Sequence, residues 1–229
     1  MRVLAVTHGP LVGPELFGDV ILDAGHELIE WEIATHGSPP RDGYGAVLVL
    51  GGDQNVGEEV RYPWLHDEYA ALRRWLDNGT PLLGICLGAQ TLGHVLGADV
   101  AALADGRLAG FYETTLTAAG AEDPVTGGLP PTFAALNANA YGFTLPPGTV
   151  ELARGPVVQA YRAGACAWGV QFHPEVRRDQ VLEWFSEDEP DLPRPLPELV
   201  QEVDAGLAEW QEHGRRLCRA FLAAADPTE

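Results

Sequence analysis

The stretch Pro81-Leu82-Leu83-Gly84-Ile85-Cys86-Leu87-Gly88-Ala89-Gln90 decides the fold. Residues 81–85 form a short apolar run, the pattern of a buried strand, and residues 87–96 read as a helix closed by Gly97. Cys86 stands between the two, at a strand-to-helix turn. Working outward, residues 2–7 read as a buried strand and residues 26–33 and 46–50 as further strands, the last stopped by Gly51-Gly52. Residues 15–24 read as a helix ended by Gly25, and Leu65, Tyr69, Leu72 and Leu76 recur at helical spacing before the turn Asn78-Gly79. Strands alternating with helices indicate an α/β fold, with a central, mainly parallel sheet flanked by helices. Functional groups in such sheets collect at the carboxyl ends of the strands.

From about residue 98 to 171 the pattern changes to short strand-like pieces broken by Gly and Pro, at 98–103, 111–116, 150–153, 157–161 and 166–172. Four prolines between Pro190 and Pro197 predict a stiff, extended linker. Beyond it Leu199, Val203, Leu207, Trp210, Leu217 and Phe221 fall near helical spacing and predict a long C-terminal amphipathic helix. The expected organisation is one domain over residues 1–189, a linker over 190–197, and a helix over 198–229 packed on the same domain. A subunit interface is the alternative use of its apolar stripe.

The composition excludes several classes. With 229 residues, 46% of them apolar, the chain is long enough for a sizeable core. It carries 14 basic and 33 acidic residues, a net charge of −19, so its surface should repel nucleic acid and anionic membrane. Every basic residue is Arg, and without Lys there is no lysine Schiff base, no pyridoxal phosphate enzyme and no P-loop. Cys86, Cys166 and Cys218 are too few and scattered for a disulfide framework or a zinc site. The apolar run before Thr7-His8-Gly9-Pro10 is too short for a signal peptide, and no stretch is long enough to span a membrane. A soluble, cytoplasmic protein is the expectation.

Three constellations could do chemistry. A cysteine at a tight strand-to-helix turn is held out from the backbone, flanking glycines relieve crowding, and the helix N-terminus favours a thiolate. Cys86 in Gly84-Ile85-Cys86-Leu87-Gly88 meets this description, although a small buried hydrophobe is the plainer use of a cysteine. The second is Gln171-Phe172-His173-Pro174-Glu175. Pro174 keeps His173 extended, so His173 and Glu175 project to the same side, where a carboxylate fixes the imidazole tautomer. The third is Leu50-Gly51-Gly52-Asp53, where two glycines let backbone N–H groups approach a ligand closely. No metal site is expected: Asp53-Gln54-Asn55-Val56-Gly57 lacks the glutamate of a calcium loop, and His66-Asp67-Glu68 has no second His one turn on.

Together these motifs resemble the class I glutamine amidotransferases, with their Cys-His-Glu triad on a sheet flanked by helices. Pro63-Trp64-Leu65, residues 81–90 and Trp168-Gly169-Val170-Gln171-Phe172-His173-Pro174-Glu175 are similar to free-standing members related to the glutaminase part of GMP synthetase. The resemblance implies Cys86 as nucleophile, His173 as proton shuttle and Glu175 as its orienting group. It further implies Gly52 and Leu87 as backbone oxyanion donors and Gln90 beside the bound glutamine. Asp53 departs from the proline usual after the glycine pair. Asn139 and Tyr141 stand where many relatives carry a His-x-Asp pair.

The implied reaction is hydrolysis of the L-glutamine side-chain amide through a cysteine thioester, giving glutamate and ammonia and needing no cofactor. A separate synthetase or ligase subunit would accept the ammonia. Two other readings stay open: a γ-glutamyl hydrolase or related cysteine amidase, and a non-catalytic regulatory subunit that keeps the fold.

Overall fold

A computed structural model describes residues 1–185 and 192–226. Its first half alternates strand and helix: β1 (Arg2–Thr7), α1 (Glu15–Asp23), β2 (Glu27–Glu32), α2 (Ile33–His36), β3 (Ala46–Val49), α3 (Trp64–Asp77), β4 (Leu82–Ile85) and α4 (Leu87–Val95). The middle is mostly strand: β5 (Val100–Ala102), β6 (Leu108–Leu116), α5 (Ala118–Glu122), β7 (Thr132–Asn139), β8 (Tyr141–Phe143), β9 (Val150–Arg154), β10 (Val158–Ala163) and β11 (Ala167–Val170). Two helices follow, α6 (Arg178–Trp184) and α7 (Leu196–Ala225).

Nine strands form one sheet in the order β2-β1-β3-β4-β11-β10-β9-β6-β7, and β5 pairs with β8 apart from it. The half from β2 to β11 is parallel. The other half is antiparallel, so the sheet is mixed. The inner parallel strands β1, β3, β4 and β11 are short, largely apolar runs because both of their faces are covered, whereas β2 at the sheet edge, Glu27-Leu28-Ile29-Glu30-Trp31-Glu32, is only partly buried. Val3, Ala5, Leu48 and Leu83 share one core with Phe17 and Ile21 of α1 and Trp210, Leu217 and Phe221 of α7. Leu4, Val6, Val47 and Leu82 share the other with Leu72 and Trp75 of α3 and Leu92 of α4. This places the carboxyl ends of β1, β3, β4 and β11 side by side, where the sequence puts His8, Gly51-Gly52, Cys86 and Gln171-Phe172-His173.

Helix α7 runs for 30 residues and buries Leu199, Val203, Leu207, Trp210, Leu217 and Phe221 against α1, α6, β6 and β7. Its buried stripe also takes in His213, Gly214, Cys218 and Leu222. The helix starts at Leu196, two residues ahead of the expected start, because Pro197 is accommodated in a first turn whose N–H groups have no partner within the helix. Of the expected linker, residues 190 and 191 lie outside the described residues. Among the described residues no helix is long and apolar enough to cross a membrane.

Candidate active site

Cys86 follows β4 and caps α4 with φ of 50°, a conformation that L-residues seldom adopt. Close packing holds it there. The Cys86 N–H donates to Val170 O at 2.9 Å, and the Gly88 N–H donates to Leu50 O at 3.1 Å. A Cβ on Gly88 would lie 2.0 Å from Val49 O, and one on Gly84 would lie 2.5 Å from Gly88 O. Only glycine at both positions lets β3, β4 and the first turn of α4 approach so closely. The strained turn aims the Cys86 side chain into a cavity while leaving it 6% exposed.

His173 arrives on the segment after β11, lines the same cavity as Cys86 and is hydrogen bonded to Glu175. Its Nδ1 lies 2.8 Å from Glu175 Oε1, which leaves Nε2 for the sulfur. Glu175 is fully buried, and His173 is 3% exposed. The backbone on either side is tied down: the His173 N–H donates to Leu136 O at 2.9 Å, Trp210 Nε1–H donates to His173 O at 2.7 Å, and the Leu16 N–H donates to Glu175 O at 2.9 Å. Burial works against a charged imidazole, but the Glu175 carboxylate and then Cys86 outweigh it, and the His173 pKa is pushed up to about 10.

A cavity of about 260 Å3 lies over Cys86, lined by Gly52, Asp53, Gln90, Arg107, Asn139 and Tyr141. A second, of about 130 Å3, shares Gly52, Asp53 and Cys86 and reaches His173 and Trp184. Gly52, Cys86, Gln90, His173 and, through His173, Glu175 therefore meet at one place. Leu87 opens α4 next to Cys86, so its N–H is among those that have no acceptor within the helix. Gln90 commits its amide nitrogen to Tyr141 O at 3.0 Å and Gln171 Oε1 at 3.2 Å, bracing α4 against β8 and the end of β11. Asn139 turns its amide back onto Tyr141 O at 2.9 Å. Both nitrogens thus converge on one carbonyl of a residue that lines the cavity. Among the described residues no group of His, Cys, Asp and Glu could hold a metal ion.

This geometry sets two expected results. Cys86 should alkylate with iodoacetamide near neutral pH before Cys166 or Cys218. Burial pushes the Cys166 thiol up, and burial pushes Cys218 up much further, so neither offers much thiolate. Peptide mapping with Cys166 labelled first would refute the assignment. The second concerns stability. A His173 pKa raised from 6.5 in the unfolded chain to about 10 gives a contribution that is full below pH 6.5 and lost as pH rises toward 10. Glu175→Gln removes the main cause, so urea midpoints of the wild type should fall more steeply over this window than those of the variant. Parallel curves would show that Glu175 does not hold the ring protonated.

Several neighbours carry no sequence signal of their role. Arg107 and Trp184 line the cavity, and the Trp184 ring sits 4.6 Å from that of His173. Both come from segments without motif. In the sequence Trp210 is one member of an apolar stripe, and nothing there gives its indole N–H a partner. His8 has one available signal: it is a polar residue directly after β1, at the carboxyl edge of the sheet.

Comparison with known proteins bears on the family and the fold. A glutamine amidotransferase-like protein of Acanthamoeba polyphaga mimivirus is 32% identical over 95 residues, 42% of this chain and 45% of its own length. A glutamine-hydrolysing GMP synthase of Thermomicrobium roseum is 32% identical over 150 residues, which are 64% of this chain and 25% of the enzyme. This chain therefore spans less than half of either relative. A glutamine amidotransferase crystal structure from Thermotoga maritima superposes with a TM-score of 0.83 at 23% identity, covering 98% of this chain and 97% of the other, and so shares the fold. The family pattern described as glutamine amidotransferase class-I matches residues 22–181, well over half of the sequence, and the chain belongs to that family.

Proposed function

We propose that the chain hydrolyses the side-chain amide of L-glutamine to glutamate and ammonia, with Cys86, His173 and Glu175 as its catalytic triad. The observation that carries this reading is His173 held by Glu175 at 2.8 Å and facing one cavity together with Cys86, while Gly52 and Gln90 line the adjoining cavity over Cys86. The Cys86 sulfur attacks the amide carbon, and the oxygen that gains charge is held by the backbone N–H groups of Gly52 and Leu87. His173, protonated on Nε2, gives its proton to the leaving nitrogen; the C–N bond breaks, ammonia departs, and a γ-glutamyl thioester remains on Cys86. His173 then takes a proton from water, the hydroxide displaces the sulfur, and glutamate leaves. Glu175 keeps the ring in the tautomer and orientation both steps need. Gln90, one turn into α4, braces the substrate side of the cavity. No step calls for a cofactor.

The reading extends to organisation and partners. We assign residues 1–189 to the amidotransferase domain, with α7, from Leu196, packed on it as its C-terminal part. Relatives include a glutamine-hydrolysing GMP synthase subunit from Halobacterium salinarum, 27% identical over 149 residues, 63% of this chain and 74% of its own. By that likeness the ammonia passes to a separate synthetase or ligase subunit, in a cytoplasmic setting. The test is release of glutamate and ammonia from glutamine by the purified protein, set against release from γ-glutamyl peptides. Equimolar glutamate and ammonia from glutamine is the expected result. Preferred cleavage of the peptides would make the protein a γ-glutamyl hydrolase. No cleavage of either would sink the enzymatic reading.

A further inference from the structure

A second buried histidine–carboxylate pair lies behind the site, and the triad makes no use of it. His8, the first residue after β1, is 3% exposed, and Glu68 on α3 is fully buried. His8 Nε2 lies 2.5 Å from Glu68 Oε2, and His8 Nδ1 lies 2.7 Å from Gly51 O. Trp64 stacks on the imidazole at 5.3 Å between ring centres. A backbone carbonyl can only accept, so Nδ1 carries a hydrogen and donates it to Gly51 O. A buried carboxylate needs a partner to be tolerated, and His8 is that partner for Glu68 Oε2; the other oxygen, Oε1, has none among the described residues.

The bond to Gly51 has a consequence one atom further along the chain. The Gly51 carbonyl and the Gly52 N–H belong to one planar, trans peptide unit and point in opposite directions. Between two glycines such a unit is unusually free to rotate, since neither side chain limits φ or ψ. Both glycines are nonetheless required: a Cβ on Gly51 would lie 2.9 Å from His173 Cε1, and one on Gly52 would lie 2.8 Å from His8 Cβ. Something other than a side chain at 51 or 52 must therefore fix this peptide. We infer that His8 and Glu68 are positioning residues that hold the Gly51–Gly52 peptide with its carbonyl toward His8 and the Gly52 N–H toward the reacting oxygen. This rests on the reading of Gly52 as an oxyanion donor. Burial disfavours a charged His8, but Glu68 and the bond to Gly51 outweigh it and push its pKa up, which keeps the Nδ1 donor in place.

The test exploits the shapes of two amides. The amide nitrogen of Asn stands where imidazole Nδ1 stands, and that of Gln stands where Nε2 stands. Both His8→Asn and His8→Gln are made on a Glu68→Gln background, so that no buried carboxylate loses its partner. With glutamine as substrate, His8→Gln should lower kcat by ~10^2- to 10^3-fold with KM within about threefold, the loss typical of one oxyanion donor. His8→Asn should recover most of that loss. Alkylation of Cys86 by iodoacetamide builds no oxyanion and should proceed alike in both. Equal turnover in the two variants, or alkylation falling in step with kcat, would overturn the inference. Crystal structures of the two variants read the peptide directly, even if the wild type cleaves no glutamine and the proposed function fails. The Gly51 carbonyl should face residue 8 in His8→Asn and be rotated away in His8→Gln, and an unrotated peptide in His8→Gln would equally overturn it.

Discussion

Cys86→Ala should reduce glutamate release from glutamine to background, a loss of at least about 10^4-fold, because no other group present can form the thioester. The variant should fold as the wild type does. Alanine keeps the same Cβ at φ of 50°, so the strain of the elbow is unchanged and only a sulfur is lost from a site that is 6% exposed. His173→Ala should be nearly as severe, since both proton transfers of the proposed mechanism pass through Nε2. Glu175→Gln should cost much less: the side-chain oxygen of Gln can still accept from Nδ1–H over the 2.8 Å now spanned by the carboxylate. Triad members act as a unit, so these losses will not add, and a double variant should be no worse than Cys86→Ala alone. Steady-state glutamate release with matched circular dichroism spectra checks all three. Glu175→Gln as damaging as Cys86→Ala would mean the carboxylate does more than orient the ring.

The inner parallel strands β1, β3 and β4 are legible in the sequence because they are buried on both faces, which turns them into short apolar runs. The elbow is legible for a related reason, since the packing of β3, β4 and α4 demands glycine at 84 and 88. β7 is not. Its sequence, Thr132-Phe133-Ala134-Ala135-Leu136-Asn137-Ala138-Asn139, is rich in Ala and Asn, which strands disfavour, and it is a strand because β6 pairs along its whole length. Asn139 and Tyr141 therefore sit on β7 and β8, and the departure from the expected His-x-Asp pair is built into paired strands. His8 and Glu68 cannot be joined from the sequence at all. They are 60 residues apart, belong to no motif, and meet only because β1 and α3 are brought together across the sheet end.

A large effect on stability is expected at a glycine of α7. Gly214 lies on the buried stripe of this helix, and a Cβ there would sit 2.0 Å from Pro174 O, a backbone atom between His173 and Glu175. Because the obstacle is backbone, no side-chain rotation can relieve it, and α7 would have to withdraw from the His173–Glu175 segment. Withdrawal would also stretch the 2.7 Å bond from Trp210 Nε1–H to His173 O and the 3.1 Å bond from Gln211 Nε2–H to Val176 O. Overpacking of a core commonly costs about 1–3 kcal/mol, and with a buried carbonyl left unpaired Gly214→Ala should cost about 3–5 kcal/mol. Turnover should fall with it, because the displaced segment carries His173, the proposed proton shuttle. Trp210→Phe separates the two effects. It keeps most of the ring packing against Phe133 and Phe172 but removes the donor, so a loss of about 1–3 kcal/mol is expected, with alkylation of Cys86 slowed as His173 shifts. Urea unfolding and iodoacetamide labelling of both variants make the comparison. If Gly214→Ala unfolds at the wild-type midpoint, α7 does not rest on Pro174, and its apolar stripe is better explained as a surface for a second subunit.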